Sequence, residues 1–288
     1  MSDNLQSPIS NPQSPPLRVA FQGEPGAYSE GAALAFFGAE TATVPCESFD
    51  DVFAAVTGGH AGRAMIPIEN SLAGSIHRNY DLLLRHDLHI IGELNFRVHH
   101  NLLALPGVAL SDVRRVLSHP QALAQCEGFI DRLGVVREAT YDTAGSAKMV
   151  RQQALLDAAA IASTHAAEVY GLAILAAGIE DDPENYTRFL ALAGEPHPVP
   201  PGVPAKTSIV FALKNAPGVL FKALSVFALR DIDLTKIESR PMRGTRWEYV
   251  FYLDFAASLE DDASQNALRH LGEIATMLRV LGSYPRDA

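Results

Sequence analysis

The chain has 288 residues, 48% hydrophobic and 19% charged, a composition that buries a core and excludes a disordered polymer. Lys plus Arg number 23 and Asp plus Glu 33, a net charge of −10 that argues against nucleic acid or an anionic membrane as partner. No apolar run approaches the ~18 residues a membrane helix needs, and two cysteines, Cys46 and Cys126, make no disulfide framework, so a reducing cytoplasm is the expected location.

Proline and charge are unevenly placed. Four of the 18 prolines lie in residues 1–16 and five in residues 195–205, which predicts a tail and a linker. Residues 1–205 hold 12 Lys/Arg against 23 Asp/Glu, whereas residues 206–288 hold 11 against 10. Four segments follow: a disordered tail (1–16), a catalytic-size unit (17–194), a Pro-rich linker (195–205) and a smaller unit (206–288). The tail has no Lys, no Arg and no apolar core, so it does not read as a targeting segment.

In the larger unit a strand at 19–21 leads through a Gly turn to a helix at 28–37. A strand near 43–45, a helix starting at Ser48 with Asp51 three residues on, a strand at 64–68 and a helix at 76–86 follow. After a strand-rich stretch at 88–105 come strand 116–118, helix 121–133, strand 135–139, helix 144–152, strand 158–162, helix 165–170 and strand 189–192. Strands alternating with ~10-residue helices predict an α/β unit with mostly parallel sheets. The stretch at 88–105 and a return at 175–190 are placed to be paired crossovers between two lobes, with a cleft between them. The smaller unit reads strand 207–213, helix 217–229, strands 234–239 and 249–255, helix 264–275 and strand 278–281. That βαββαβ order is ferredoxin-like.

Polar clusters stand at strand ends, where open α/β sheets hold ligands. Gly23–Ser29 is a tight turn with an N-cap or an anion cradle of backbone amides. Asn70 and Ser71 end one strand. Ser118 and His119 precede Pro120 as a helix cap or as site residues. Asp142–Ala147 opens a helix with small residues, Thr143 and Ser146 among them. Arg188, in Asn185–Phe189, is the sole Arg or Lys between Arg151 and Lys206 and stands near Glu180, Asp181, Asp182 and Glu184. It either neutralises those acids or grips a carboxylate. No HExxH, CxxC, GxSxG or phosphate-binding glycine loop occurs, so metal chemistry is not expected.

In order, GEPGAYSE (23–30), IPIENSLAGSIHRNYDLL (66–83), SHPQALAQC (118–126), DTAGSA (142–147), the NxTRF pattern at Asn185–Phe189 and KIESRP (236–241) resemble the prephenate dehydratase family. The second unit looks like that family's ACT regulatory domain. The resemblance implies two α/β lobes like type 2 periplasmic-binding proteins, followed by the ACT domain. It implies decarboxylative dehydration of prephenate to phenylpyruvate, a carbon–oxygen lyase reaction in phenylalanine biosynthesis that is driven by aromatisation and needs no cofactor. Thr187 would be an oriented donor to the leaving hydroxyl, and Arg188 would bind carboxylate or hold the motif. Asn70, Ser71, Ser118, His119, Thr143 and Ser146 would line the cleft. Feedback by phenylalanine would use Asn215, Ala216, Pro217, Gly218, Val219 and Leu220 together with Glu238, Ser239, Arg240 and Pro241, at an interface within a homodimer or homotetramer. Val219 stands where the family's loop carries alanine. The tail is too short for a chorismate mutase, so a monofunctional enzyme is expected. NYDLLLRH, LTKIESRP and RVLGSYP look like the branch that includes plant arogenate dehydratases, which makes arogenate the alternative substrate. A non-catalytic amino-acid sensor is the alternative of another class.

Overall fold

The computed structural model describes residues 16–242 and 249–287. The expected disordered tail, apart from Pro16, lies outside the described residues.

The first lobe contains β1 (Arg18–Gln22), α1 (Tyr28–Phe37), β2 (Ala42–Cys46), α2 (Phe49–Thr57), β3 (Arg63–Asn70), β4 (Gly74–Ser75), α3 (His77–Arg85) and β5 (His89–Arg97). The Ser48/Asp51 spacing makes a full capping box: Ser48 Oγ accepts from the Asp51 amide at 3.2 Å, and Asp51 accepts from the Ser48 amide at 3.1 Å. Ser48→Ala should therefore lower stability by about 1 kcal/mol, read as a lower urea midpoint with unchanged slope.

The second lobe contains β6 (Asn101–Ala104), β7 (Arg115–Ser118), α4 (Pro120–Gln125), α5 (Glu127–Leu133), β8 (Val136–Ala139), α6 (Thr143–Gln152), β9 (Ala158–Ala162), α7 (Thr164–Tyr170) and β10 (Ala173–Ala176). The single helix expected at 121–133 is two helices that meet at Cys126, where φ −119° and ψ 22° break the helical path.

The chain then returns through β11 (Tyr186–Ala193), which lies between β3 and β5 and antiparallel to both. The first sheet runs β2-β1-β3-β11-β5, with β4 on β3, and the second runs β10-β6-β9-β7-β8. The chain crosses between lobes at 97–101 and at 176–186, within the two stretches expected to be crossovers. The short strands β4 and β10 carry too few residues for a sequence period and were not expected.

The C-terminal unit is β12 (Ala205–Leu213), α8 (Val219–Ala228), β13 (Leu234–Pro241), β14 (Tyr249–Phe255), α9 (Asp262–Ile274) and β15 (Ala275–Pro285). Its antiparallel sheet, in the order β13-β14-β12-β15, has the βαββαβ connection the sequence predicts. One sheet face, with Ile209, Phe211 and Leu213, packs on Phe227, Ala267 and Leu271 of the helices. The opposite face, with Val210, Ala212, Tyr252 and Leu281, packs on Ile66, Tyr80, Leu83 and Leu190 of the first lobe. All nine residues of β12 are therefore buried, because each of its alternating faces meets a core. β15 runs well beyond the expected 278–281, since it pairs with β12 from Ala205↔Pro285 to Leu213↔Ala275.

Candidate active site

The cleft between the lobes is built on one rung of the first sheet. Thr187 on β11 pairs with Asn70 at the end of β3, and the next rung is Arg188 with Glu69. A bulge follows between Arg188 and Phe189, which then pairs with Pro67. The bulge lets Pro67 and Asn70 both line the cleft, while Ile68 between them packs in the core shared with the C-terminal domain.

Asn70 organises the rung. Its amide nitrogen donates towards Thr187 Oγ1 (3.0 Å), Asn185 Oδ1 (2.8 Å) and the Tyr186 carbonyl (3.1 Å). Its carbonyl accepts from the Leu72 and Ala73 amides at 3.2 and 2.9 Å. Because Asn70 donates to Thr187, the threonine's own O–H is left to donate, and Thr187 lines the cleft. Asn185 is fully buried and donates to Gln125 Oε1 at 3.1 Å. His100 Nε2 stands 2.9 Å from the same oxygen, and the Tyr28 hydroxyl lies 2.8 Å from His100 Nδ1 and 2.6 Å from the His99 carbonyl. The line Tyr28–His100–Gln125–Asn185–Asn70–Thr187 thus joins both lobes and both crossovers.

Burial lowers the His100 pKa from its ordinary 6.5, more than the Gln125 bond and Glu180 raise it. Burial pushes the Tyr28 hydroxyl and the Cys126 thiol up, so both stay protonated and Cys126 is no nucleophile. The folded chain holds His100 neutral where the unfolded chain takes a proton. Stability should therefore fall as pH drops below about 6.5. Unfolding midpoints at about pH 7 and pH 5 should differ less in His100→Gln than in the parent chain.

The inner cleft encloses about 330 Å³, and among the described residues no Asp, Glu, Lys or Arg lines it. Its polar lining includes Tyr28, Asn70, Ser75, His100, His119, Gln125 and Thr187, with the first residues of α1, α4 and α6 at its rim. The first turn of α1 has no side-chain cap, because Ala27 cannot accept a hydrogen bond. Its amides and the helix dipole offer positive potential to an anion without a formal charge. The outer cleft, about 630 Å³, adds Glu47, Arg78, Tyr141 and Asp142, and Arg78 is ion-paired with Asp50.

Four of the eight expected cleft residues line this space: Asn70, His119, Thr143 and Thr187. Four do not. Ser71 Oγ donates to the Glu184 carbonyl, Ser118 Oγ to the Ile161 carbonyl and Ser146 Oγ to the Asp142 carbonyl. Arg188 is the larger correction. Strand alternation turns it to the face opposite Thr187, where it bonds Glu93 (2.8 Å), Asp254 (2.7 Å) and Tyr284 (3.1 Å). Burial works against its charge, but Asp254, Tyr284 and Glu93 outweigh it and hold the guanidinium charged. Of its two expected roles, contact with a substrate carboxylate has no counterpart in this geometry, whereas holding the motif through ion pairs does. His100 and Gln125 are cleft residues that the sequence does not single out, and Tyr28 and Ser75 stand out only as members of polar clusters. The one available signal was Gln121 and Gln125, four apart on one helix face.

The expected effector segments lie at one end of the C-terminal sheet. Gly218 (φ 74°) caps α8 within the Asn215–Leu220 loop, and β13 ends at Pro241 two strands away. Along β13, Ser239 and Pro241 are exposed, whereas Glu238 and Arg240 turn towards the first lobe. Glu238 accepts from Ser75 Oγ at 2.6 Å and lies 3.3 Å from His77, and Arg240 pairs with Asp81 at 3.2 Å.

A two-lobed α/β unit with a polar, uncharged inner cleft, joined through a shared core to a ferredoxin-like domain, defines a small-molecule-binding protein with an appended regulatory module. Residues 19–197 match the model of the prephenate dehydratase family, and residues 207–273 match the ACT domain. The chain belongs to the prephenate dehydratase family. It is 58% identical over 297 residues to "Arogenate dehydratase/prephenate dehydratase 2, chloroplastic" of Arabidopsis thaliana, covering 99% of this chain and 77% of the relative. It is 56% identical over 288 residues to "Arogenate dehydratase 2" of Petunia hybrida, covering 94% and 72%. Among solved structures, prephenate dehydratase in complex with L-Phe from Arthrobacter aurescens superposes with a TM-score of 0.86 at 33% identity, covering 94% of this chain and 90% of that one. GqqA, described as a novel type of quorum quenching acylase, superposes with a TM-score of 0.88 at 39% identity, covering 94% and 98%.

Proposed function

We propose that the protein is a decarboxylating dehydratase, a carbon–oxygen lyase that converts prephenate to phenylpyruvate in phenylalanine biosynthesis. The observation that carries this reading is the Thr187 hydroxyl, fixed by Asn70 and left free to donate into the cleft. In the reaction the ring–carboxylate bond breaks and CO2 departs. Its electron pair becomes a ring π bond, and the C–O bond on the far side of the ring breaks with hydroxide as leaving group. Aromatisation drives the step, so no electron acceptor is required. A threonine alkoxide is far too basic to form at neutral pH. Thr187 therefore acts by a hydrogen bond to the departing oxygen, strongest as negative charge develops there. The α1 N-terminus, which has no side-chain cap, is suited to a carboxylate of a dianion in a unit that is itself acidic, whereas the α6 N-terminus is taken by the Asp142 carboxylate.

Arogenate, which carries an amino group where prephenate has a keto group, is the second reading, supported by the names of the plant relatives. The test offers the purified protein each substrate separately, and the ratio of kcat/KM assigns the preference. Turnover of neither would leave a non-catalytic sensor. Phenylalanine is the proposed effector, supported by the ACT match and by the ligand of the Arthrobacter relative. Calorimetric titration should give saturable binding, and a flat titration of folded protein would remove the effector. A homodimer or homotetramer is proposed, supported by Leu220 and Phe221, which stand exposed on α8. A cytoplasmic location is proposed from the unpaired Cys46 and Cys126.

A further inference from the structure

Both members of the Arg188–Glu69 rung, the one beside the Thr187–Asn70 rung, are held by the ACT domain. Lys236 of β13 pairs with Glu69 at 2.8 Å and reaches Ser75 Oγ at 3.3 Å in the cleft wall. Asp254 of β14 pairs with Arg188 at 2.7 Å, and Tyr284 of β15 bonds the same guanidinium. The second contact is deep in the protein. Glu93, whose side chain is fully buried, binds Arg188 at 2.8 Å and Lys206 of β12 at 2.6 Å, and Ser208 donates to Asp254 at 2.6 Å. Three ACT strands thus meet two residues of the catalytic sheet, each the chain neighbour of a residue on the reacting rung, and β12 braces them from behind through Glu93 and Asp254.

We propose that the ACT domain clamps the Arg188–Glu69 rung and thereby sets the Thr187–Asn70 geometry, so that Lys236 and Asp254 are positioning residues for the reaction. A residue paired on one face of a strand fixes the twist and height of its neighbours on the other face. The Thr187 hydroxyl must sit within hydrogen-bond distance of a departing oxygen, and a displacement of about 1 Å at such a group costs up to about 100-fold in rate. The ACT domain is then part of the catalytic framework as well as a sensor. Changes at β13 reach Thr187 through Glu69 and Asn70, and changes at β14 reach it through Arg188. The inference rests on the dehydratase reading for its kinetic test and on the sheet geometry alone for its structural one.

The test uses the full chain with Lys236→Met, Asp254→Asn, the double variant, and Lys236→Arg as the conservative control. Steady-state kinetics are measured on whichever of prephenate or arogenate the parent enzyme converts, and amide hydrogen exchange is followed along β11. Each single variant is expected to fold and to lose about tenfold in kcat with KM within about threefold, with β11 exchanging faster. Lys236→Arg is expected to recover most of the rate. Folded single variants with parental kcat and parental β11 exchange would overturn the clamp, leaving these ion pairs as domain glue. Should the double variant fail to fold, the contrast between Lys236→Met and Lys236→Arg decides. Should the parent convert neither substrate, the dehydratase reading fails by itself. Exchange along β11 then decides the clamp: faster in the variants supports it, unchanged overturns it.

Discussion

Thr187→Ala is expected to lower kcat by about 10²–10³-fold and to leave the unfolding temperature nearly unchanged. The rate effect is the loss of one pre-aimed donor to an oxygen that gains negative charge. Such a donor counts for more in a water-poor cleft than in solution. The small stability effect follows from the hydrogen bonds. Without the threonine oxygen, Asn70 Nδ2 keeps Asn185 Oδ1 and the Tyr186 carbonyl as acceptors, so no buried donor is orphaned. Thr187→Ser, which retains the hydroxyl, should retain most of the rate, and Thr187→Val, which keeps the shape, should behave as alanine. Near-parental turnover by the alanine variant would remove Thr187 from the chemistry.

The largest effect on stability is expected at a glycine remote from the cleft. A Cβ on Gly282 of β15 would lie 2.9 Å from the Ile90 carbonyl carbon and 3.0 Å from its Cα. Those are backbone atoms of β5, which is paired along β11 and cannot yield. Gly282 is needed for closeness of approach, since it is not among the glycines with positive φ. Gly282→Ala should cost about 3 kcal/mol or more, because the added methyl has to lift β15 from β5. That movement also drags Tyr284, two residues on, away from Arg188, so activity should fall with stability. Thermal unfolding within a degree of the parent would show that the two strands can part without cost.

The elements of this fold were legible wherever a period was long enough to read. The α/β alternation, the two crossovers and the βαββαβ unit all carry ten or more residues of pattern. Strand ends pointed to the cleft, which Asn70, His119, Thr143 and Thr187 line. Sequence order alone does not say which face of a strand each motif residue takes. Thr187 and Arg188 are adjacent in a strand, so they face opposite ways, and a single positive charge among acids leaves a substrate ligand and a structural ion pair equally open. Its real partners, Glu93, Asp254 and Tyr284, lie 95, 66 and 96 residues away in the chain, and no local pattern announces them. The same alternation divides KIESRP: Lys236, Glu238 and Arg240 turn to the first lobe, and Ile237 and Ser239 turn outwards. His100 and Gln125 were missed because each is a lone polar residue whose role depends on the other.

The second lobe, from β6 to β10, begins and ends side by side. Leu102 near its start pairs antiparallel with Ala176 at its end. Both connections to the rest of the molecule therefore leave from one place, as the two leaves of a door share one jamb. The Gln125–Asn185 bond ties this lobe to the returning crossover, while the Thr187–Asn70 bond lies wholly within the first lobe. The same arrangement makes the second lobe a cassette. A segment whose ends already touch can be circularly permuted, or transplanted into a host loop, without rebuilding either sheet. The Thr187–Asn70 rung and the ACT strands beside it would remain together on the other side of the cut.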